Sequence, residues 1–243
     1  MNFWRHWTFP NLCPAARIGL LTVLCLWAQP CGAGSRIFLA DNNVLDSERT
    51  LLAYAVNIHR TPVQNWPGYG IYLKDGLFLT AAHVVGRGWL TRPKVVISGT
   101  EYPTKIVKEG SFEGVDLTLL HVDEQLLPMR LRMRQMSICR DAPSPGERVV
   151  TIIPETAALT HVVAPDVIPA SARKFRTAVA DVAGTGNSGS GVFDSQRRCL
   201  LGIMSRKISQ AGRRANGQQA TRDIAKYFVP AADIESFLSN GSQ

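Results

Sequence analysis

A glycine-rich stretch late in the chain, GTGNSGSGVF at residues 184–193, has two features that could do chemistry. Its first six residues fit G-x-G-x-x-G, the spacing with which a loop holds a dinucleotide pyrophosphate. The same residues place Ser188 among small neighbours, where a serine hydroxyl is accessible as a nucleophile. The surrounding sequence decides between a phosphate-binding loop, a nucleophile loop and a plain glycine-rich turn.

A dinucleotide site needs a helix that begins within the glycines and an acidic residue about 20 positions later. Here the poor helix former SGVFD follows, and no Asp or Glu occurs between Asp194 and Asp223. The G-x-S-x-G elbow of α/β-hydrolases also fails, since its second glycine is replaced by serine, and no histidine follows His161. The sequence excludes both kinds of site.

A serine hydroxyl is a weak nucleophile at neutral pH and needs a base, most often a histidine oriented by a buried carboxylate. Four of the five histidines lie in the N-terminal segment, beside polar residues or at a strand end. His83 differs because it ends the apolar run FLTAAH at 78–83. By itself, a lone histidine in such a run is more often a packed core residue than a catalytic one.

Three blocks occur in the order His, Asp, Ser: GLFLTAAHVV at 76–85, VDLTLLHV at 115–122, and GTGNSGSGVFD followed by CLLGIMS, which ends at residue 205. Together they resemble the signature blocks of the chymotrypsin-like (trypsin-like) serine proteases in their bacterial secreted form. The resemblance covers roughly residues 66–238.

The resemblance implies a role for each matching residue. His83 matches the general base, Asp116 the carboxylate that orients it, and Ser188 the nucleophile. The backbone N–H groups of Gly186 and Ser188 match the oxyanion hole. The implied activity is a serine endopeptidase that hydrolyses peptide bonds through an acyl-enzyme intermediate, with no metal and no cofactor.

The substrate pocket is the least defined part of the resemblance. Val182 and Ala183 fall at its base and wall, which favours a small or apolar residue before the cleaved bond. Lys207, near the expected rim, leaves an acidic preference open. Ser205 falls on the strand whose backbone binds the substrate, and its hydroxyl often contacts the aspartate in this family.

The elements around these blocks are short strands separated by turn signals, a pattern typical of sandwiches and barrels. With the resemblance, we expect an all-β fold of two antiparallel β-barrels and a short C-terminal helix. The expected bounds are about 50–127 and 137–229 for the barrels and about 230–239 for the helix. A loop at 128–136 would link the two halves.

The first 33 residues predict a signal peptide, because basic residues, the apolar run IGLLTVLCLW at 18–27 and small residues follow one another. Ten apolar residues are too few to span a bilayer, so we expect cleavage after Ala33, a secreted or periplasmic protein, and no stable membrane insertion. An uncleaved anchor is the alternative. The protease domain would then occupy 34–243.

Two cysteines remain after cleavage, Cys139 and Cys199, and in an oxidising compartment they most simply form one disulfide. The protease family often has an interbarrel disulfide at these positions. No His or Cys lies near them at zinc-ligand spacing, so we expect no metal.

The net charge of +8 is dispersed along the 243 residues, unlike the dense basic stripe of a nucleic-acid reader. We therefore expect a monomer that binds a protein or peptide substrate and no nucleic acid. Two alternatives stay open from the sequence: a catalytically silent binding module of the same fold, and an esterase or single-partner hydrolase.

Overall fold

The computed structural model describes residues 48–59, 68–180, 187–213 and 218–239, which form thirteen strands and five short α-helices. The strands are β1 Ala55–His59, β2 Gly68–Lys74, β3 Leu77–Thr80, β4 Lys94–Ile97, β5 Thr100–Pro103, β6 Lys105–Glu109, β7 Thr118–His121, β8 Arg148–Ile153, β9 Thr156–His161, β10 Ala178–Val179, β11 Gly191–Asp194, β12 Leu200–Arg213 and β13 Gln219–Pro230. The helices are α1 at 48–52, α2 Ala82–Val85, α3 Gly88–Thr91, α4 Met129–Arg132 and α5 Ala231–Ser239.

The first seven strands form one antiparallel sheet in the order β5-β4-β1-β2-β3-β7-β6. Its central hairpin turns at Asp75 and Gly76, whose φ angles of 49° and 72° fit the tight turn that KDG predicts. β3 and β7 pair side by side, with Thr80 opposite Thr118. This pairing brings the residues after β3 and before β7 to the same end of the sheet.

The last six strands form a second antiparallel sheet in the order β10-β13-β12-β11-β8-β9. Its longest elements, β12 and β13, pair as a hairpin from Gly202 to Arg213 of β12. α5 begins directly after Pro230, as proline at a helix start favours. The two sheets share one apolar cluster, in which Phe193 and Ile152 of the second join Ile71 and Leu79 of the first.

The predicted fold class is confirmed: the described chain is mainly antiparallel β-structure in two sheets, with few helices and a short C-terminal one. β12 continues eight residues beyond Ser205, where the CLLGIMS block ends, and β13 follows it in a stretch for which the sequence analysis names no strand. The expected loop at 128–136 contains the one-turn helix α4.

The connector between the two sheets, residues 122–147, is hydrogen-bonded to each of them. The Met136 N–H donates to Leu73 O of the first sheet at 2.8 Å, and the Cys139 N–H donates to Leu200 O of the second at 3.0 Å. Cys139 and Cys199 form a disulfide with a Cα–Cα distance of 5.1 Å.

Both cysteines are buried in a cluster of second-sheet residues that includes Val149 and Leu201. The disulfide therefore ties the connector to the second sheet. It does not bridge the two sheets, although the family resemblance implies an interbarrel disulfide at these positions. Within the described ranges, no helix has the length and apolar character required to span a membrane.

Candidate active site

His83 lies in α2, a single turn that follows β3. Its neighbours Ala82, Val84 and Val85 are buried and fix the turn against the first sheet, while 30% of the His83 side chain is exposed. The apolar residues of the FLTAAHVV run thus form the core, and the imidazole alone faces outward. His83 is therefore not a packed core residue, which was one of the two interpretations that the sequence allowed.

Asp116 lies just before β7, and its side chain is only 1% exposed. One carboxylate oxygen is 2.8 Å from His83 Nδ1, and the other accepts the His83 backbone N–H at 3.0 Å. The same residue therefore engages both oxygens, which fixes the direction of the carboxylate and the ring together.

A third hydrogen bond reaches Asp116 from the second sheet: the Ser205 hydroxyl donates to Oδ2 at 2.5 Å. Burial by itself would raise the pKa of Asp116, but the hydrogen bonds from His83 and Ser205 outweigh burial and lower that pKa below its ordinary value. Asp116 is thus held as an anion beside the imidazole.

Ser188 lies in a tight turn before β11, and this turn is hydrogen-bonded to both sheets. Its carbonyl accepts the Tyr69 N–H of β2 at 3.0 Å, and the Gly189 N–H that follows donates to Met204 O of β12 at 2.8 Å. The Ser190 N–H donates back to Asn187 O at 3.1 Å and closes the turn.

Gly189 has to be glycine for two reasons. Its φ is +85°, and a Cβ there would lie 1.9 Å from Tyr69 O and 2.6 Å from Thr80 Oγ1. Thr80 itself donates to Tyr69 O at 2.5 Å. The turn that carries Ser188 therefore lies directly on the backbone of the first sheet.

The Ser188 hydroxyl donates to Ser205 O at 3.3 Å, and within the described part of the chain it makes no hydrogen bond to His83. Ser205 thus contacts two of the three sequence-predicted residues: its hydroxyl binds Asp116, and its carbonyl accepts from Ser188. Among described residues, no acceptor takes the Ser188 backbone N–H.

Lys207 forms an ion pair with Asp223 on the neighbouring strand, at an Nζ–Oδ2 distance of 2.5 Å. The bond from Lys207, with a second from the Ser209 hydroxyl, lowers the pKa of Asp223. Because its charge is already paired, Lys207 gives little support to an acidic preference at the pocket rim. Gly186, Val182 and Ala183, the other predicted oxyanion and pocket residues, lie outside the described residues.

The sequence analysis missed Arg206 and Phe112. The Arg206 guanidinium stacks 3.7 Å from the Phe112 ring centroid and 4.8 Å from that of Phe175, and its Nε donates to Ser205 Oγ at 3.3 Å. The Phe112 ring meets the His83 ring edge-on at 5.3 Å. Arg206 therefore links β12 to the loop that precedes Asp116.

Tyr227 lies beside this group, with its ring 4.8 Å from that of Phe175. Burial, reinforced by the charges of Asp233 and Asp116, raises the pKa of Tyr227 to about 12, although Arg206 acts in the opposite direction. Its hydroxyl is therefore uncharged near neutral pH. In the described ranges, no three His, Cys, Asp or Glu side chains are grouped to hold a metal.

Comparison with known proteins gives one family. Residues 68–203, more than half of the chain, match the model of the trypsin-like peptidase domain. This range contains all three residues of the site and ends just before Ser205. No curated protein matches the chain in sequence.

Solved structures share the fold at low sequence identity. The Rv3671c protease in its inactive form has a TM-score of 0.57 and 16% identity, over 84% of this chain and 98% of that one. Its active form, from M. tuberculosis, has a TM-score of 0.56 and 14% identity, over 84% and 88%. A serine endoprotease from Yersinia pestis has a TM-score of 0.56 and 18% identity, over 80% and 65%.

Proposed function

Because the chain belongs to the trypsin-like peptidase family, we propose that it is a serine endopeptidase in which His83, Asp116 and Ser188 form the catalytic triad. The observation that carries the proposal is the double hydrogen bond between His83 and the buried Asp116, with Ser188 joined to the same network through Ser205. Such an arrangement fixes the imidazole tautomer with Nε2 free to accept a proton.

In the proposed reaction, the Ser188 oxygen bonds to the peptide carbonyl carbon while its proton passes to His83. The C–N bond then breaks, and His83 returns the proton to the leaving amine. Water repeats the sequence on the acyl-enzyme: His83 takes a proton from it, the hydroxide adds to the ester carbonyl, and the C–O bond to Ser188 breaks as His83 returns the proton to the Ser188 oxygen. Asp116 remains ionised and stabilises the imidazolium that forms in each step.

The oxyanion would be stabilised by the N–H groups of Ser188 and Gly186, as the family match implies. The Ser188 N–H has no described acceptor, which supports that assignment. A substrate N–H that binds Ser205 O would compete with the Ser188 hydroxyl for this acceptor and so favour its rotation toward His83. Apo sites often have such loose geometry before substrate binds.

We assign the primary pocket to Val182 and Ala183, with a small or apolar residue before the cleaved bond. Profiling cleavage of a peptide library tests this assignment, and a strict preference for Lys, Arg, Asp or Glu at that position would contradict it.

We further propose that residues 1–33 are a signal peptide and that the monomeric enzyme acts after export to the periplasm or the exterior. The disulfide supports this location, and free thiols at both cysteines of exported protein would contradict it.

A fluorophosphonate probe, which reacts covalently with activated serines, tests the triad. We expect labelling of the wild-type protein and none of Ser188→Ala. Ser190→Ala is the matched control, because Ser190 is fully buried two residues away and its hydroxyl has no partner among the described residues. Unlabelled wild-type protein would indicate a silent binding module, and equal labelling of Ser188→Ala would refute the assignment of the nucleophile.

A further inference from the structure

A stack of flat side chains runs from the second sheet to the His83 ring. The Arg206 guanidinium lies between two phenylalanine rings, 3.7 Å from the Phe112 centroid and 4.8 Å from that of Phe175. The Phe112 ring meets the His83 ring edge-on at 5.3 Å, and the Phe175 ring lies 4.8 Å from that of Tyr227. The stack thus connects β13 to α2 through Arg206.

The Arg206 guanidinium is also hydrogen-bonded along its edge. Its Nη2 donates to the Phe112 carbonyl, and its Nε donates to Ser205 Oγ at 3.3 Å. A planar cation that is stacked on both faces and bonded at its edge has one preferred position. Arg206 therefore holds both the ring and the backbone of Phe112.

Burial contributes little to the position of the Phe112 loop, residues 110–115. Residues 111–115 are all exposed, so the loop buries little apolar surface. The Gly110 N–H donates to Leu117 O at 2.8 Å, which closes the neck of the loop without setting the direction of the Phe112 ring. Asp116 follows the loop and is buried, so the ring of Phe112 can move while Asp116 stays in place.

Phe112 restricts the imidazole in a way that Asp116 does not. The bond of 2.8 Å to Asp116 fixes the Nδ1 atom of His83, but the ring can still tilt about it, and 30% of the His83 side chain is exposed. An aromatic edge packed on the ring opposes this tilt and keeps water from the hydrogen bond. The orientation of the imidazole therefore depends on where Phe112 is held.

We propose that Arg206 is a positioning residue that acts through Phe112. By holding the Phe112 ring against His83, it keeps Nε2 directed toward Ser188. It also shields the hydrogen bond between His83 and Asp116 from water. This inference rests on the proposed function, and Arg206 itself does not touch the reacting atoms.

Arg206→Met tests the role directly, because it removes the charge and the hydrogen bonds and keeps a long side chain. We expect kcat to fall about tenfold, an effect of the size of one cation–π contact and one charged hydrogen bond, with KM within about twofold of wild type. Fluorophosphonate labelling should slow by the same factor, since the probe needs the same activated serine. Unchanged kcat and labelling rate would overturn the proposal.

Arg134→Met is the matched control. The Arg134 guanidinium lies 5.4 Å from the Tyr54 ring, and its Nε donates to Arg130 O at 3.1 Å, so this change also removes an arginine that contacts a ring and binds a backbone carbonyl. Arg134 belongs to the connector and, among the described contacts, has none with the triad. We expect wild-type kcat; an equal loss in both variants would indicate a general effect on the fold and contradict the proposal.

Double-mutant cycles identify the residue through which Arg206 acts. In a Phe112→Ala background, Arg206→Met should change kcat by less than about twofold, because the ring that it holds is gone. In a Ser205→Ala background, the loss of about tenfold should remain. A full effect of Arg206→Met in the Phe112→Ala background would overturn the proposal, and loss of the effect in the Ser205→Ala background would assign the action to the serine hydroxyl.

Proton NMR gives a readout that does not depend on turnover. The Nδ1 proton between His83 and Asp116 resonates at low field, and its signal is sharp only where exchange with water is slow. We expect a sharp signal in wild type and Arg134→Met and a broadened one in Arg206→Met. A sharp signal in Arg206→Met would contradict the shielding by Phe112.

Arg206→Lys separates the planar group from the charge. An ammonium keeps the charge but cannot lie flat between two rings, so we expect its kcat to stay well below that of wild type. Full activity of Arg206→Lys would show that the charge alone suffices and would overturn the role of the stack. Absence of fluorophosphonate labelling in wild type refutes the proposed function, whereas labelled wild type with normal kcat in Arg206→Met refutes only this inference.

Discussion

Asp116 illustrates how a buried charge is stabilised by its immediate partners. Its two oxygens accept hydrogen bonds from the His83 backbone, the His83 ring and the Ser205 hydroxyl. Because the pKa of Asp116 is lower in the folded protein than in the unfolded chain, its contribution to stability is present above about pH 4. That contribution is lost as the pH falls through the folded pKa, so acid should weaken the site and the fold together.

Asp116→Asn tests the role of the carboxylate directly, because it replaces the charge with an amide of nearly the same size. An uncharged amide cannot stabilise the imidazolium as the carboxylate does, and its NH₂ group can donate to Nδ1 and so favour the wrong imidazole tautomer. We therefore expect kcat to fall by about 10⁴-fold with KM within a few-fold of wild type. Steady-state kinetics on one peptide measure both constants. Ser205→Ala removes one of the three bonds to Asp116 and should cost far less, about tenfold; equal losses in the two variants would contradict a special role for the carboxylate.

At the scale of elements, the site depends on a turn of the second sheet lying on a strand of the first. Tyr69 of β2 donates to Ser188 O, and Arg206 of β12 holds the Phe112 loop beside His83. The β3–β7 pairing brings His83 and Asp116 together, but their alignment with Ser188 requires both sheets.

Gly189→Ala tests this contact between the sheets. The added methyl would meet Tyr69 O at 1.9 Å, so the turn must move away from β2. We expect loss of fluorophosphonate labelling and a decrease of about 3 kcal/mol or more in the free energy of unfolding.

Gly99→Ala is the matched control for that substitution. Gly99 has a similar φ of +82° but nothing within 4 Å of its Cβ position, so only the backbone strain applies. We expect a decrease of about 1 kcal/mol and normal labelling. Urea unfolding measures both variants, and similar losses at the two positions would show that strain, not the contact with β2, dominates at Gly189.

At the scale of the whole molecule, the disulfide closes a loop of 60 residues that contains β8 to β11 and the Ser188 turn. A cross-link of this length removes loop-closure entropy from the unfolded chain, which amounts to about 4 kcal/mol in the simplest treatment. We expect the Cys139→Ala/Cys199→Ala double variant to lose up to about that much free energy of unfolding. Reductant should lower the urea midpoint of wild type and leave that of the double variant unchanged; a midpoint insensitive to reductant in both would contradict the disulfide.

Much of this protein follows from local sequence. The KDG turn, the short apolar strands and the proline before α5 act over a few residues, so their pattern predicts structure directly. The three blocks around His83, Asp116 and Ser188 carried the family resemblance for the same reason. β13 escaped notice because Arg222, Asp223 and Lys226 interrupt its apolar residues; it is stabilised by pairing with β12 along a hairpin that is partly exposed to solvent.

Only the tertiary structure decided which other distant segments meet at the site. Arg206 reaches Phe112 across 94 residues, from β12 to the loop that precedes Asp116, whereas the contact of Ser205 with Asp116 was already implied by the family resemblance. The pairing of β11 with β12 likewise stops at Ile203, because β11 begins only at Gly191, after the Ser188 turn. Sequence patterns report the burial and turns of each strand, but hydrogen bonds between strands depend on register and sheet packing, which the whole fold determines.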